Sequence, residues 1–342
     1  MRNRTDGRSQ KPIENATLLK LLAWMLVLVF AVGCQANRLS DTFGLTPSEP
    51  VEFAREDWSF GRAQGTKLTT KHYVLYTTCK SKPFVDAMPG FLETCWKAYA
   101  LLAPSETTPD HRLEVYLFQT RWQWEQFTER FNPSRADIYK RIRSGGYSER
   151  GITVSHYASQ RTALSVLAHE GLHQYLELTR GNNIPAWLNE GLATYHEGFD
   201  LNPRTNLPIF KPTTNYLRTR SLRSALASDS LIPLREILEV HAGVAVQKGG
   251  SHVRSYYSQV WSLTLFLMQP SKDNAYHDGF RELLREVGTD SMDRRARAFL
   301  ATDSDGNMSY GEAVFRAYIT DDLETFEQDY KAYCLKLLRL ES

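Results

Sequence analysis

No basic stripe runs along this chain, and its absence argues against a nucleic-acid partner. The formal charge of +2 is an effect of the N-terminus, where Arg2, Arg4, Arg8, Lys11 and Lys20 face only Asp6 and Glu14. Beyond residue 33 there are 36 basic against 37 acidic side chains. Long apolar runs are missing too. Leu21 to Gly33 (LLAWMLVLVFAVG) is 13 residues long, whereas an apolar helix that crosses a bilayer takes ~20. There is no internal repeat and no low-complexity tract, which excludes solenoid and fibrous architectures. Cysteines are few. Besides Cys34 there are Cys79, Cys95 and Cys334, which leaves open a Cys79–Cys95 pair or three buried thiols. What remains is 342 residues with 42% hydrophobic and 23% charged content, enough for a sizeable core.

A basic N-terminus followed by a short apolar run reads as an export signal. The run closes on small residues and a cysteine, Ala31-Val32-Gly33-Cys34. This resembles a bacterial lipobox, with Ala31 where the pattern usually has Leu, and it implies that Cys34 is acylated and anchors the chain to a membrane. An ordinary signal peptide and an uncleaved anchor are the alternatives. The chain is expected to be exported, periplasmic or at the cell surface. Residues 34–65 are polar and contain Pro and Gly, as a tether would.

The folded part is expected over 66–342, beginning near Lys67. Strands are predicted at Lys71–Thr77, Leu113–Phe118 and Gly151–His156, with helices at Phe84–Leu102 and Arg121–Phe131 between them. Leu164, Leu167, Ala168, Gly171, Leu172 and Tyr175 then form one helical stripe, which Ser159 or Thr162 can cap and Gly181 can stop. Pro185 opens a second helix that runs to Gly198. Residues 199 to about 250 are loop-rich, apart from a short helix near Pro233–Val240. Helices follow at Ser251–Met268, Tyr276–Val287, Ser291–Leu300, Tyr310–Tyr318 and Leu323–Leu340. The fold class is α+β: a small mixed sheet flanked by helices over 66–200, then a mainly helical half over 201–342.

One segment carries chemistry. His169-Glu170-Gly171-Leu172-His173 places two imidazoles four apart on one helix face, where both reach one ion at about 2.0–2.1 Å. Glu170 lies one step round the helix, beside the ion, where a general base for activated water belongs. Two imidazoles leave a catalytic zinc one protein ligand short. Downstream, Glu190 is an acid among Trp187, Leu188, Leu192 and Ala193, and a buried carboxylate calls for a cation.

H-E-x-x-H followed by N-E-G-x-A resembles the gluzincins, the thermolysin-like and aminopeptidase-like zinc peptidases. The wording P-A-W-L-N-E-G-L-A-T-Y is most similar to bacterial peptidase-MA-like domains, and the firm match covers residues 169–195. The resemblance implies a zincin-like fold, one catalytic Zn2+ held by His169, His173 and Glu190, and Glu170 as the base in cleaving a peptide or protein substrate. Asn189 matches the flanking pattern. Thr194 and Glu197 are expected to support the ligands. Tyr257 fits the tyrosine that stabilises the oxyanion in aminopeptidase-like members, with Tyr256 as the fallback. Cell-wall amidase activity at the same site, or a binding role without turnover, are the competing readings.

Other signals are weaker. Gly146-Tyr147-Ser148-Glu149 echoes an aminopeptidase element whose acid, here Glu149, binds a substrate amine, so endo- and aminopeptidase readings both stand. Gly151–His156 is a candidate edge strand for pairing an extended substrate. Asp303, Asp305, Ser309 and Glu312 imitate a calcium loop that lacks its first ligand, and a turn followed by a helix cap accounts for them without Ca2+. His196 and His252 take ordinary core or surface roles.

Overall fold

The computed structural model describes residues 51–142, 145–181, 183–204, 208–239, 250–270 and 276–340. The apolar run and Cys34 lie outside them. Six strands form one sheet: β1 (Ala54–Phe60), β2 (Ala63–Thr69), β3 (Tyr73–Thr77), β4 (Leu113–Phe118), β5 (Gly146–Glu149) and β6 (Ile152–His156). Alternation explains them. In β3, Tyr73, Leu75 and Thr77 are buried while Val74 and Tyr76 are half-covered on the other face.

The strand order is β1-β2-β3-β4-β6-β5. β1, β2 and β3 pair as an antiparallel meander, while β3–β4 and β4–β6 are parallel. Parallel neighbours need crossovers. These are α1 (Lys82–Leu102), and then α2 (Arg121–Phe131) with the one-turn α3 (Ala136–Tyr139). Thr120 caps α2 with a reciprocal capping box to Gln123.

Two expectations are corrected here. The sheet starts at Ala54, inside the stretch read as tether. Ala54–Phe60 (AREDWSF) is an exposed strand with little apolar pattern, so composition alone presents it as linker. It is tied down by its aromatic pair, with Trp58 5.4 Å from the Tyr76 ring and Phe60 4.9 Å from Phe118. Nor is Gly151–His156 an edge. β6 lies between β4 and β5, and β5 forms that border of the sheet.

After the sheet come α4 (Gln160–Arg180), α5 (Ala186–Tyr195), the small hairpin β7 (Phe199–Leu201) and β8 (Pro208–Phe210), and α6 (Tyr216–Ala227). Then follow α7 (Leu234–Glu239), α8 (Gly250–Leu267), α9 (His277–Glu286), α10 (Asp290–Leu300), α11 (Tyr310–Tyr318) and α12 (Leu323–Leu340). The class is α+β with a helical C-terminal half. No helix among the described residues is long and apolar enough to cross a membrane. The stretch after Gly198 is less loop-rich than its composition predicts. In α6 (YLRTRSLRSALA) only Thr219, Leu222 and Ala225 are buried, too short a stripe to stand out.

α4 packs on β5, β6 and α1, while α8 lies along α5 and α6. One apolar core runs from Leu68 through α1, α4, α5 and α8 to Leu337. The described cysteines are free thiols, with Cys95 and Cys334 buried.

Candidate metal centre

α4 begins where the Ser159 hydroxyl accepts the Thr162 backbone N–H. Its buried stripe of Leu164, Leu167, Ala168, Leu172, Tyr175 and Leu176 faces the core, while His169 and His173 turn toward Glu190 of α5. Gly171 allows this depth. A Cβ there would stand 2.8 Å from the Tyr99 hydroxyl, which donates to the Ala168 carbonyl at 2.7 Å. Pro185 precedes α5, which returns across α4 and buries Glu190.

Three atoms converge. His169 Nε2 and His173 Nε2 are 3.1 Å apart. Glu190 Oε2 lies 3.3 Å from the first and 3.5 Å from the second. The outer nitrogens are both engaged: His169 Nδ1 with Glu197 Oε1 and His173 Nδ1 with Asn189 Oδ1, each at 2.9 Å. A carboxylate and an amide oxygen only accept there, so each Nδ1 carries a proton, and in the neutral form each ring turns its Nε2 lone pair inward. Glu190 Oε2 is buried without a hydrogen-bond partner. Two lone pairs and a carboxylate oxygen facing one another are repulsive unless a positive charge lies among them. The group His169, His173 and Glu190 can therefore hold a metal ion.

In the metal-free protein a proton on His169 can supply that positive charge. Burial opposes charge on His169, yet Glu190 and Glu197 override it and hold the imidazole up to about 10. Burial likewise opposes ionisation of Glu190, but His173 and His169 keep it well below the usual carboxylate range. Glu197 is held at about 2 against its burial by Arg218 and His169. Glu170 goes the other way. Burial pushes its carboxyl up, and the neighbouring imidazoles offset this only in part.

Residues 163–287 match a family described as Protein of unknown function (DUF1570). The match starts in the first turn of α4, ends just past α9, and contains every side chain of this cluster. No curated protein and no solved structure matches the chain.

Other predicted site residues divide clearly. Asn189 and Glu197 orient the imidazoles. Thr194 does not, because its hydroxyl donates back to the Glu190 and Gly191 carbonyls of its own helix, as a buried helical threonine commonly does. The Tyr257 ring lies 6.2 Å from that of His169, and burial with Glu190 nearby raises its hydroxyl well above the ordinary value. Tyr256 is fully buried.

Glu149 is drawn away from the cluster. Asn132, Arg135 and Tyr139 all bond its carboxylate, at 2.8, 3.0 and 2.7 Å. In the calcium-like loop, Asp303 accepts the Met308 backbone N–H, Ser309 caps α11, and Glu312 is buried against Arg316 at 2.8 Å. His196 is a core histidine: its Nδ1 meets the Leu192 carbonyl at 2.9 Å, and burial lowers its pKa to about 4. His252 faces Glu236 at 3.8 Å.

Sequence reasoning missed Asn215 and Arg218, both on Glu197. Asn215 caps α6, and an Asn before a helical stretch was the available signal.

Proposed function

We propose that this chain is a zinc-dependent hydrolase of peptide bonds, with His169, His173 and Glu190 as ligands and Glu170 as general base. The observation that carries the reading is the separation of the three inward-facing atoms. Tetrahedral zinc with bonds of about 2.0–2.1 Å requires ligand atoms about 3.3–3.4 Å apart. The separations of 3.1, 3.3 and 3.5 Å bracket that value.

A zinc ion held there supplies a Lewis acid and lowers the pKa of water at its open position. Glu170 takes a proton from the attacking water and returns it to the leaving amine. Its raised pKa favours the first transfer, because a more basic carboxylate takes the proton more readily. Tyr257 offers its hydroxyl proton to the oxyanion of the substrate carbonyl, and its own raised pKa keeps that proton in place at neutral pH. Asn189 and Glu197 keep both imidazoles as Nδ1–H tautomers. β5 borders the sheet beside α4, and it is the strand to which an extended peptide would add. The export reading belongs to the same proposal: Cys34 as a lipidated residue would hold the enzyme at a bacterial membrane, facing outward.

The test pairs metal analysis with a peptide library. Wild-type protein is expected to carry one zinc per chain and to cleave. Glu170→Gln should keep its zinc and lose about 10²–10⁴-fold in rate. Zinc without cleavage of any peptide would favour the binding role, and cleavage that survives Glu170→Gln would remove the mechanism.

A further inference from the structure

Arg218 sits on α6, far along the chain from the H-E-x-x-H segment, yet it closes a ring of four side chains that includes His169. Its Nε and Nη2 grip the two carboxylate oxygens of Glu197 at 2.9 and 2.6 Å. Glu197 in turn meets His169 Nδ1 at 2.9 Å. On its other side the Arg218 guanidinium lies 4.9 Å above the Tyr257 ring, and Tyr257 returns to His169 at 6.2 Å.

We propose that Arg218 is a positioning residue that locks the orientation of His169, through Glu197, and the place of Tyr257 at the same time. The inference rests on the metallopeptidase reading. Its physical basis is the location of Glu197, which follows the end of α5 at Tyr195 and so has no helix to hold it. A carboxylate free to swing would let the His169 ring turn and would lose the tautomer that points a lone pair inward. Two parallel bonds from a planar guanidinium fix the carboxylate plane in a way that a single ammonium contact does not. Asn215 adds a third bond, from Nδ2 to Glu197 Oε2 at 2.7 Å, and its Oδ1 accepts the Arg218 backbone N–H. The clamp is thereby built into the first turn of α6. The same guanidinium stands over the Tyr257 ring, and this cation–π contact helps hold the ring in place.

A merely charge-balancing arginine would be replaceable by lysine. The experiment measures zinc affinity by competition with a chelator, and the visible spectrum of the cobalt-substituted chain, for wild type, Arg218→Lys, Glu197→Gln and the double variant. Arg218→Lys is expected to weaken zinc binding about 10–100-fold and to shift the cobalt bands. The double variant should bind zinc no more than about twofold more weakly than Glu197→Gln alone, because both act through one carboxylate. Arg218→Lys within about twofold of wild type, or losses that simply multiply, would overturn the inference. Should Arg218→Lys fail to fold by circular dichroism, Asn215→Ser retains a helix-capping hydroxyl and deletes the amide donor to Glu197. A several-fold drop in affinity is then expected, and unchanged affinity would overturn the inference. A wild-type chain that takes up no zinc overturns both readings; zinc uptake without peptide cleavage, with the Arg218→Lys loss intact, removes only the peptidase.

Discussion

Two imidazoles whose Nε2 atoms stand 3.1 Å apart need a positive charge between them, and a proton and a metal ion compete for that place. Without metal, Glu190 and Glu197 overcome burial and hold a proton on His169 up to about 10. That proton stabilises the metal-free fold fully below the ordinary imidazole value of 6.5, and the contribution is lost as pH rises through about 10. Metal uptake near neutral pH must therefore displace protons. Calorimetric titration with zinc at pH 7 in two buffers of different ionisation enthalpy should show proton release, and affinity should strengthen as pH rises. Heats independent of the buffer would mean that the imidazoles are not the ligands.

Helices α4, α5 and α8 meet closely enough that one methyl group can disturb the site. A Cβ at Gly191 would stand 2.4 Å from Thr264 Oγ1 and 3.1 Å from the Val260 carbonyl, both on α8, the helix that carries Tyr257. Gly191→Ala must turn the Thr264 hydroxyl from its bond to the Val260 carbonyl, or move α5 from α8. The expected cost is about 1–3 kcal/mol, read as a lower melting temperature, together with weaker zinc binding because Glu190 adjoins the displaced turn. Unchanged stability and affinity would show that this contact does not set the ligand geometry.

The same elements explain what was legible in sequence. α4 could be read because its buried stripe is long, and the metal-binding group because four-residue spacing on a helix fixes where two side chains point. Asn189 is legible as part of the flanking N-E-G-x-A pattern, and Glu197 from its place two turns beyond Glu190. Thr194 was misread, since spacing along α5 cannot reveal a hydroxyl that bonds its own helix. Arg218 was invisible for another reason. It reaches Glu197 through tertiary packing of a helix with only three buried positions, and no local pattern records such a meeting. The β1–β2 hairpin escaped because five of the seven β1 residues, Ala54 to Asp57 and Ser59, are exposed and only pairing with β2 makes them a strand.

At the scale of the whole molecule, the site is a composite of both parts of the chain. His169 and His173 come from the helix laid on the sheet, Glu190 from its neighbour, and Tyr257 from the helical half. A single apolar core spanning Leu68 to Leu337 holds these pieces in register. A metal bound by so distributed a set reports on the assembled fold. Anomalous diffraction at the zinc edge from crystals of the purified chain tests this most directly. The account predicts one peak per chain, about 2.0–2.1 Å from His169 Nε2, His173 Nε2 and Glu190 Oε2. Zinc bound elsewhere, or no peak after zinc is supplied, would contradict it.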